Sequence, residues 1–454
     1  MGKLFGTDGI RGLANSYPIT SEMALKIGRA AALCFKNNSG RSKIIIGKDT
    51  RISGDMLESA LAAGICSMGT DVYLARILPT PGVAYLTSFR KADAGIVISA
   101  SHNPYHDNGI KFFNAKGFKL SEQTEKTIED MVLNETLDFN IPADSLHEQR
   151  VGRIYQIDHD YEIYAAFLKQ TMAVNAPLKG LKLVLDCSNG ATSKIAPALF
   201  SELGADVESI FTEPDGTNIN ADCGSEHPEA LCKMVIDKGA DMGIAFDGDG
   251  DRLVAVDEKG IPLTGDQIIA VCSKKLKDNG LLKNNMVVTT IMSNLGLKKS
   301  LEKMGIAHVT TNVGDRYVME EMVSKGAVIG GEDSGHMIFL QHHTTGDGML
   351  SSLKLIEAVI DSSKPLSELA GVMNVFPQVL IGVEVKNKPD LESVHEIIRS
   401  VRLVESSLKK KGRVLIRYSG TQPICRVMVE GPSLTDTQRF CQQIADTVKQ
   451  QLGV

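Results

Sequence analysis

The sequence has no excess of positive charge, no CxxC pair of cysteines and no long apolar run. Its formal net charge is −6 over 454 residues, and the lack of a long Lys/Arg run argues against nucleic-acid binding. The eight cysteines are scattered, so we expect reduced thiols rather than disulfides or a zinc site. No apolar stretch approaches the about 18 residues that cross a membrane.

The amino-terminal residues MGKLFG contain no apolar signal region. Gly6 stands where a myristoylation motif has Ser or Thr. We therefore expect a cytoplasmic protein without membrane or nucleic-acid partners. The apolar content of 43% and the charged content of 23% are those of an ordinary globular protein, and the length predicts about two to four domains.

One architectural unit occurs three times along the chain, although its residues differ each time. Each unit has a buried strand, a polar turn, a helix, and a second buried strand that ends in a polar loop. The first strands are predicted at 43–46, 181–185 and 286–291, and the second strands at 95–98, 242–246 and 326–329. Short β-branched strands that alternate with amphipathic helices predict largely parallel sheets. Such connections bring the post-strand loops to one end of each sheet, so three domains could direct them into a shared cleft.

The pattern changes after about Lys364, where a strand, a helix, two strands and a last helix predict a separate β-α-β-β-α module. The predicted fold class is α/β, with three similar α/β domains of mixed, largely parallel sheets. A smaller C-terminal α+β domain completes them around a central cleft. The polar stretch from Glu135 to Gly152 is the predicted first linker. The predicted domains are 1–150, 151–255, 256–365 and 366–454.

The most informative loop follows the strand at 95–98 and reads Ser-Ala-Ser-His-Asn-Pro, with Ser101 at its centre. Ligands of open α/β sheets bind beyond the carboxyl ends of strands, which makes Ser101 a candidate nucleophile rather than a structural turn residue. His102, Asn103 and Pro104 favour a fixed turn. For His102 itself, loop hydrogen bonding and a direct role both stay open. Lys111 is either a solvated lysine or the cation and proton acceptor beside the serine.

A second loop, Asp-Gly-Asp-Gly-Asp-Arg, follows the strand at 242–246. Its alternate carboxylates Asp247, Asp249 and Asp251 project to one side of an extended segment and can converge on one hard cation. The spacing up to Glu258 also matches a calcium-binding EF-hand, but that motif needs Gly where this chain has Arg252. A solvated acidic turn is the other alternative. Three carboxylates with room for a phosphate oxygen suit Mg²⁺ better than Ca²⁺.

A third loop, Gly-Gly-Glu-Asp-Ser-Gly-His, contains Glu332 and His336 between glycines that permit close backbone approach. It fits recognition of sugar hydroxyls, or of an amino group through Glu332, and its alternative is a tight acidic turn. The neighbouring pair His342 and His343 is interpreted as an exposed loop pair, since no third metal ligand is evident.

Two arginine-containing loops are candidates for phosphate binding. Arg417 precedes Tyr-Ser-Gly-Thr-Gln-Pro, and Arg426 follows shortly afterwards, which gives two guanidinium groups, two hydroxyls and free backbone amides. Such a set grips a phosphate monoester, and the alternative is an ordinary β-turn. The N-terminal Gly-Thr-Asp-Gly-Ile-Arg-Gly loop offers Arg11 to an anion.

Together these loops resemble those of the α-D-phosphohexomutase family. The resemblance runs from the Gly-Thr-Asp-Gly-Ile-Arg-Gly loop at residue 6 to the Arg-Tyr-Ser-Gly-Thr loop at residue 417, so it covers nearly the whole chain. It implies three similar α/β domains and a smaller fourth one around a cleft. One departure is Gln422, where the family usually has Glu, so any contact that needs a carboxylate there is lost.

The resemblance also implies the role of each site residue. Ser101 is the residue that is phosphorylated and must be phosphorylated for activity, and it binds one Mg²⁺ together with Asp247, Asp249 and Asp251. The groups around the transferring phosphoryl are Arg11, His102, Lys111 and Arg252, with Lys111 as general base. The substrate-binding residues are Glu332, Ser334 and His336 for the sugar, and Arg417, Ser419, Thr421 and Arg426 for the distal phosphate. Further substrate-binding residues are Gly314, Asp315, Arg316 and Gly420.

The activity implied by the resemblance is isomerisation of a hexosamine phosphate. Glucosamine 6-phosphate and glucosamine 1-phosphate would interconvert through a 1,6-bisphosphate, which would supply amino-sugar nucleotides such as UDP-N-acetylglucosamine and cell-wall precursors. Glucose or mannose phosphates are the alternative substrates. A non-catalytic binding protein and a plain phosphatase are alternatives of other classes. The residues do not decide the assembly, for which a homodimer is kept as a hypothesis.

Overall fold

The computed structural model of the protein describes residues 4–6, 8–36, 41–134, 151–172, 178–409, 411–419 and 423–454. Strands and helices alternate along most of this chain. The strands are β1 (Ile10–Leu13), β2 (Lys43–Lys48), β3 (Asp71–Ile77), β4 (Ala94–Ile98), β5 (Asp107–Asn114), β6 (Ile154–Gln156), β7 (Lys182–Asp186), β8 (Asp206–Ile210), β9 (Met242–Phe246), β10 (Leu253–Asp257), β11 (Pro262–Leu263), β12 (Met286–Thr290), β13 (Ala307–Thr311), β14 (Ile329–Gly331), β15 (Met337–Phe339), β16 (Gln378–Glu384), β17 (Arg413–Tyr418) and β18 (Ile424–Glu430).

The α-helices are α1 (Ser21–Cys34), α2 (Gly54–Ser67), α3 (Thr80–Phe89), α4 (Glu122–Leu133), α5 (Asp160–Gln170), α6 (Ile195–Glu202), α7 (Glu229–Lys238), α8 (Gly265–Asp278), α9 (Leu295–Lys303), α10 (Asp315–Lys325), α11 (Gly348–Ser362), α12 (Leu366–Ala370), α13 (His395–Leu408) and α14 (Leu434–Leu452). Short 3-10 helices cover Gly224–Glu226, Lys283–Asn285 and Leu391–Ser393. Local sequence sets several of these boundaries. Thr264 and Gln267 form a reciprocal capping box that starts α8, with side chains 3.2 and 3.1 Å from each other's backbone nitrogen.

Three mixed sheets form the first part of the chain. Their strand orders are β1-β5-β4-β2-β3-β6, β11-β10-β9-β7-β8 and β13-β12-β14-β15. In each sheet the inner strands pair in parallel, and antiparallel strands complete one edge. β2 shows why the residues suit this place, because Ile44, Ile45 and Ile46 are fully buried and β-branched side chains pack well in a central strand.

The three loops selected from the sequence occupy the same place in the three sheets. Each one joins a strand with a parallel neighbour, namely β4, β9 or β14, to the antiparallel strand that follows it, namely β5, β10 or β15. The repeated unit therefore ends in the same hairpin each time. Loops on a rigid scaffold can vary in sequence, so the three hairpins can present different functional residues on the same framework of strands.

The third hairpin begins later than the sequence suggests. The predicted strand at 326–329 ends before two glycines, but β14 includes Gly330 and Gly331, which pair with β12 and β15. A Cβ atom on Gly330 would lie 2.6 Å from both the Met322 sulfur and the Val288 carbonyl oxygen. These glycines therefore serve close packing within a strand as well as the loop after it.

The C-terminal part has the predicted β-α-β-β-α order. Its antiparallel sheet has the order β16-β18-β17, and α13 and α14 pack on it through a core that includes Ile397, Val427 and Ile444. Three α/β sheets followed by a smaller antiparallel module confirm the predicted fold class. The predicted helix over 390–408 is interrupted, since a 3-10 turn at Leu391–Ser393 precedes α13.

The chain divides into two compact units, Met1–Ile291 with Ala307–Ala370, and Met292–Ile306 with Gly371–Val454. In the second unit Asn294, at the start of α9, exchanges two hydrogen bonds of 2.9 and 3.0 Å with the backbone of Phe376. β6 lies within the predicted second domain, 151–255, but it pairs with β3 in the first sheet. The domain boundaries stay a prediction, and most of the predicted first linker, 135–150, lies outside the described residues.

All eight cysteines have free thiols, as expected. No described helix is both long and apolar enough to cross a membrane.

Candidate active site

Ser101 lies three residues after β4 and is 1% exposed. Its backbone is left-handed, with φ of 54°, a conformation that non-glycine residues adopt when their surroundings enforce it. Ser99 supports this turn, because its Oγ accepts a hydrogen bond of 2.9 Å from the Ser101 backbone nitrogen. Ser101 Oγ donates a 2.5 Å hydrogen bond to Asp247 Oδ2. The structure thus brings the predicted nucleophile and the acidic loop into direct contact.

Asp247, Asp249 and Asp251 are buried, and each offers a carboxylate oxygen within 4.8 Å of the others. Among the described residues, neither Asp249 Oδ1 nor Asp251 Oδ1 has a hydrogen-bond partner. Orphaned buried carboxylate oxygens are costly unless a cation satisfies them, and oxygen-only ligands suit a hard divalent ion such as Mg²⁺. The residues therefore fit a divalent cation.

The EF-hand interpretation is excluded by the elements around the acidic loop. The loop joins the antiparallel strands β9 and β10, whereas an EF-hand loop joins two helices. Glu258, at the position of the last EF-hand ligand, instead accepts a 3.2 Å hydrogen bond from the backbone nitrogen of Ser367.

The electrostatics of the triad depend on its burial and on its neighbours. Burial together with the charges of Asp251 and Asp249 raises the pKa of Asp247 well above its usual value. Burial also acts to raise the pKa of Asp251, but the nearby charges of Lys111 and His336 outweigh it and hold that pKa well below its usual value. Three carboxylates in one buried place thus demand compensating positive charge.

Lys111 supplies part of that charge. It is 1% exposed, and its Nζ lies 2.7 Å from Asp249 Oδ2, 3.4 Å from Asp251 Oδ2 and 3.3 Å from Asp8 Oδ2. Burial lowers its pKa, but these carboxylates outweigh burial and raise the pKa well above the usual value. The ammonium is therefore stable here, and a role as proton acceptor requires that another cation first engages the carboxylates.

Three more predicted residues surround Ser101 and the triad. Arg252 donates from its backbone nitrogen to Asp247 Oδ1 at 3.1 Å, and its guanidinium lies 3.4 Å from Glu226. Arg11 pairs with Asp8 in the N-terminal loop. His102 Nδ1 lies 3.4 Å from Ser101 Oγ. Burial and the charge of Arg252 lower the pKa of His102 to about 4, so the imidazole is neutral at pH 7.

The loop after β14, which contains Glu332 and His336, meets the acidic loop through His336, which is 3% exposed. Its Nδ1 lies 3.6 Å from Asp251 Oδ1, and its Nε2 lies 3.4 Å from Asp315 Oδ2. Glu332 Oε1 accepts a 3.0 Å hydrogen bond from the backbone nitrogen of Gly314. The structure therefore brings the predicted substrate residues Gly314, Asp315, Glu332 and His336 together beside Asp251.

Two other predicted substrate-binding residues, Arg316 and Ser334, do not join this group. Arg316 directs its guanidinium to Glu125 on α4, so its charge is compensated there. Ser334 is exposed at the tip of the loop. The histidine pair after β15 needs a correction, since His343 is buried rather than exposed. Its Nε2 contacts the Pro81 carbonyl oxygen at 2.9 Å, and its ring packs edge-on against Phe167.

Two residues that the sequence analysis did not select complete a closed ring of alternating charge: Asp251, Lys111, Asp8, Lys119, Asp315 and His336. The new members are Asp8 and Lys119. Although burial lowers it, the charges of Asp315 and Asp8 raise the pKa of Lys119 to about 12. A cavity of about 490 Å³ opens beside the ring and is lined by Lys119, Asp315 and His336 among others. That volume lies in the range of small-molecule sites.

The predicted phosphate residues belong to the second compact unit. Arg417 on β17 is the direct cross-strand partner of Arg426 on β18. Burial and the charge of Arg426 lower the pKa of Arg417. Like charges directly opposite each other destabilise a sheet, and a bound anion would remove that cost. Ser419 is buried beside them, whereas Gly420, Thr421 and Gln422 lie outside the described residues.

Known protein families match most of the chain. Four family models match consecutive parts of the chain, and they are described as phosphoglucomutase/phosphomannomutase α/β/α domains I, II and III and the C-terminal domain. The matched residues are 2–138, 162–260, 264–376 and 380–447. The chain belongs to this family. The predicted resemblance is thereby confirmed, and so is the prediction of a mutase, which is an isomerase.

Relatives within the family are similar over their whole length. The phosphoglucosamine mutases of Syntrophus aciditrophicus and Syntrophobacter fumaroxidans are 57% and 55% identical over 453 residues, which cover 100% of both chains in each case. Solved structures share the fold. A phosphoglucomutase/phosphomannomutase family protein from Burkholderia thailandensis has a TM-score of 0.78 at 23% identity, with 99% of each chain covered. An Aspergillus fumigatus N-acetylphosphoglucosamine mutase, solved with GlcNAc-6P and magnesium, has a TM-score of 0.67 at 16% identity, with 99% and 96% covered.

Proposed function

We propose that this chain is a phosphoglucosamine mutase that interconverts glucosamine 6-phosphate and glucosamine 1-phosphate through phosphorylated Ser101. The observation that carries the mechanism is the 2.5 Å contact between Ser101 Oγ and Asp247 of the buried carboxylate triad. A nucleophile next to a cation site serves phosphoryl transfer, whereas a binding protein needs no such pair. The substrate rests on the relatives named phosphoglucosamine mutase that are 57% and 55% identical over the full chain.

The proposed reaction has two transfers. In the first, the bond between phosphorus and Ser101 Oγ breaks, and a new bond forms to the free hydroxyl oxygen of the hexosamine monophosphate. The hydroxyl proton passes to a base, for which Lys111 is the proposed group. The bisphosphate then turns round. The bond between its other phosphorus and the sugar oxygen breaks, a new bond forms from that phosphorus to Ser101 Oγ, and the released sugar oxygen takes up the proton. Ser101 takes part in both transfers. The phosphate at the other end of the sugar must therefore bind to the same residues in both orientations.

A divalent ion held by Asp247, Asp249 and Asp251 would stabilise negative charge on the transferring oxygens. The chain's own cations act on the same charge. Lys111 and Arg252 lie against the triad, and Arg11 lies next to Asp8. Asp249, Asp8 and Asp251 hold the proton of Lys111, so a divalent ion bound to the triad would weaken two of these three contacts and lower the pKa of Lys111.

The function is tested by a coupled isomerase assay on phosphorylated protein with magnesium. Glucosamine 6-phosphate, glucose 6-phosphate and mannose 6-phosphate are compared. We expect the highest kcat/KM for the glucosamine substrate. A higher kcat/KM for glucose or mannose phosphate would favour the second candidate, a phosphoglucomutase/phosphomannomutase, which is also the name of the matching family. Release of inorganic phosphate without isomer would instead indicate a phosphatase.

The cross-strand pair of Arg417 and Arg426 gives a prediction for the second unit. Replacement of Arg426 by Ala removes one charged partner of the distal phosphate, so we expect KM for the sugar phosphate to rise about 10-fold to 100-fold. The melting temperature should not fall, because the substitution also removes like-charge repulsion from Arg417. Arg402→Ala, on an exposed part of α13, is the matched control and should leave KM unchanged. An unchanged KM in Arg426→Ala would refute a role for this arginine pair in binding the distal phosphate.

A further inference from the structure

Arg51 uses all of its hydrogen-bond donors on the loop that carries Ser101 and on one carboxylate. Its side chain is fully buried although it lies just after β2. A guanidinium has five N–H groups, and each one has an acceptor here. The acceptors are Asp49 Oδ2 at 2.8 Å for Nε, the carbonyl oxygens of Pro104 and of Asp107 (3.1 Å) for Nη1, and the carbonyl oxygens of Ser101 (2.9 Å) and Asn103 (2.8 Å) for Nη2.

Asn220 approaches the same loop from the second sheet's part of the chain. Its Nδ2 donates to the carbonyl oxygens of Ser101 and Asn103, at 2.9 and 3.0 Å. The carbonyl oxygen of Ser101 therefore accepts hydrogen bonds from both Arg51 and Asn220. Gly248 of the acidic loop allows this approach, since a Cβ atom there would lie 2.7 Å from the Ser101 carbonyl oxygen and 2.8 Å from Asn220 Nδ2.

We propose that Arg51 and Asn220 form a clamp that fixes the Ser101 peptide so that Ser101 Oγ faces the carboxylate triad. Both are positioning residues for phosphoryl transfer, and the proposal rests on the proposed function of Ser101. The left-handed backbone of Ser101 is unfavourable by itself, so something around it must hold it. Neither member of the clamp contacts the triad through a described hydrogen bond, so each acts on the reaction only through the loop.

The donor count makes arginine necessary at this position. A lysine ammonium has three donors on a flexible stem, so it cannot serve five acceptors that lie around one plane. At least two of the five hydrogen bonds from residue 51 would be lost, and the loop could relax away from the left-handed turn. A misplacement of a reacting atom by about 1 Å costs on the order of 100-fold in rate.

The first test is Arg51→Lys. We expect kcat to fall about 10-fold to 100-fold while KM for glucosamine 6-phosphate stays within about twofold, because the sugar and phosphate loops are untouched. The affinity for Mn²⁺, used as a probe of the triad and followed by its electron paramagnetic resonance signal, should also stay unchanged. Arg41→Lys is the matched control and should leave kcat unchanged. Arg41 likewise pairs with an aspartate, Asp71, and donates to a distant backbone carbonyl oxygen, that of Val151.

The second test removes the other half of the clamp and serves if Arg51→Lys does not fold. Asn220 has φ of 57°, and glycine tolerates this conformation, so Asn220→Gly deletes the donor without backbone strain. We expect a fall of about tenfold in kcat with unchanged KM and Mn²⁺ affinity. Asn284→Gly is the matched control, because Asn284 has φ of 58° and also donates to a carbonyl oxygen, that of Lys325 at 2.9 Å.

Two results overturn the clamp. One is an unchanged kcat in the folded variants, and the other is a loss of kcat that comes with equal loss of Mn²⁺ binding, since that indicates general damage to the site. Failure of the proposed function is seen separately, because wild-type protein would then transfer no ³²P-labelled phosphoryl group from Ser101 to glucosamine 6-phosphate. In that case the clamp proposal fails with it.

Discussion

Replacement of Ser101 by alanine is expected to abolish isomerisation, with a fall in kcat on the order of 10⁴-fold or more. The mechanism stores the transferring group on Ser101 Oγ, and alanine has no atom that can hold it. The three aspartates next to Ser101 stay in place, so Mn²⁺ affinity should fall far less than kcat, by no more than the loss of the one ligand that Ser101 is expected to supply. The measurement is the coupled assay with glucosamine 6-phosphate, together with Mn²⁺ binding.

Ser88→Ala is the control for this substitution, since Ser88 is an exposed serine on α3 of the same compact unit. It should retain full activity and full phosphorylation. Mass spectrometry should find phosphate at Ser101 in wild type and none in Ser101→Ala. Turnover by Ser101→Ala near the wild-type rate would contradict the phosphoserine mechanism.

Replacement of Asp249 by asparagine is expected to have the second-largest effect. Asparagine keeps the shape of the side chain but removes its charge. Changing a residue that only orients a metal ligand already costs up to about 100-fold in metal affinity, so loss of a ligand's charge should lower the affinity for a divalent cation by at least about 100-fold. At saturating substrate we expect kcat to fall on the order of 10³-fold, because charge on the transferring oxygens is then poorly stabilised. The positive charge of Lys111 also loses its nearest partner, at 2.7 Å.

The measurement is a Mg²⁺ titration of the isomerase rate, with Mn²⁺ binding as an independent readout. Chelation by EDTA should inactivate wild type and have little further effect on Asp249→Asn. Asp278→Asn, at the exposed end of α8, should behave like wild type. An Asp249→Asn enzyme with wild-type rate and wild-type metal dependence would show that the triad is not the cation site.

Part of this site could be predicted because its residues follow predictable strands. Ser101, the three aspartates and Glu332 all lie in loops that follow short apolar strands, and the carboxyl ends of strands in α/β sheets gather at one edge. Local periodicity is enough to find such positions. For Lys111 the residues left a solvated lysine open, and its predicted role came from the resemblance to the family.

The rest depends on contacts between distant parts of the chain. Asn220 meets Ser101 across 119 residues, and Lys119 meets Asp315 across 196. Nothing local to Lys119 distinguishes it from a surface lysine. His343 is buried because it reaches Pro81 across 262 residues. Such pairings are decided by packing between repeats, so a single sequence does not show them.

The most direct measurement is a single turnover that starts from protein carrying ³²P only at Ser101. Unlabelled glucosamine 6-phosphate is added with Mg²⁺, and the label is followed by chromatography after rapid quenching. The mechanism predicts that the label leaves the protein, appears first in glucosamine 1,6-bisphosphate and then in the glucosamine monophosphates. Label that stays on Ser101 while isomer forms, or that appears only as inorganic phosphate, would contradict it.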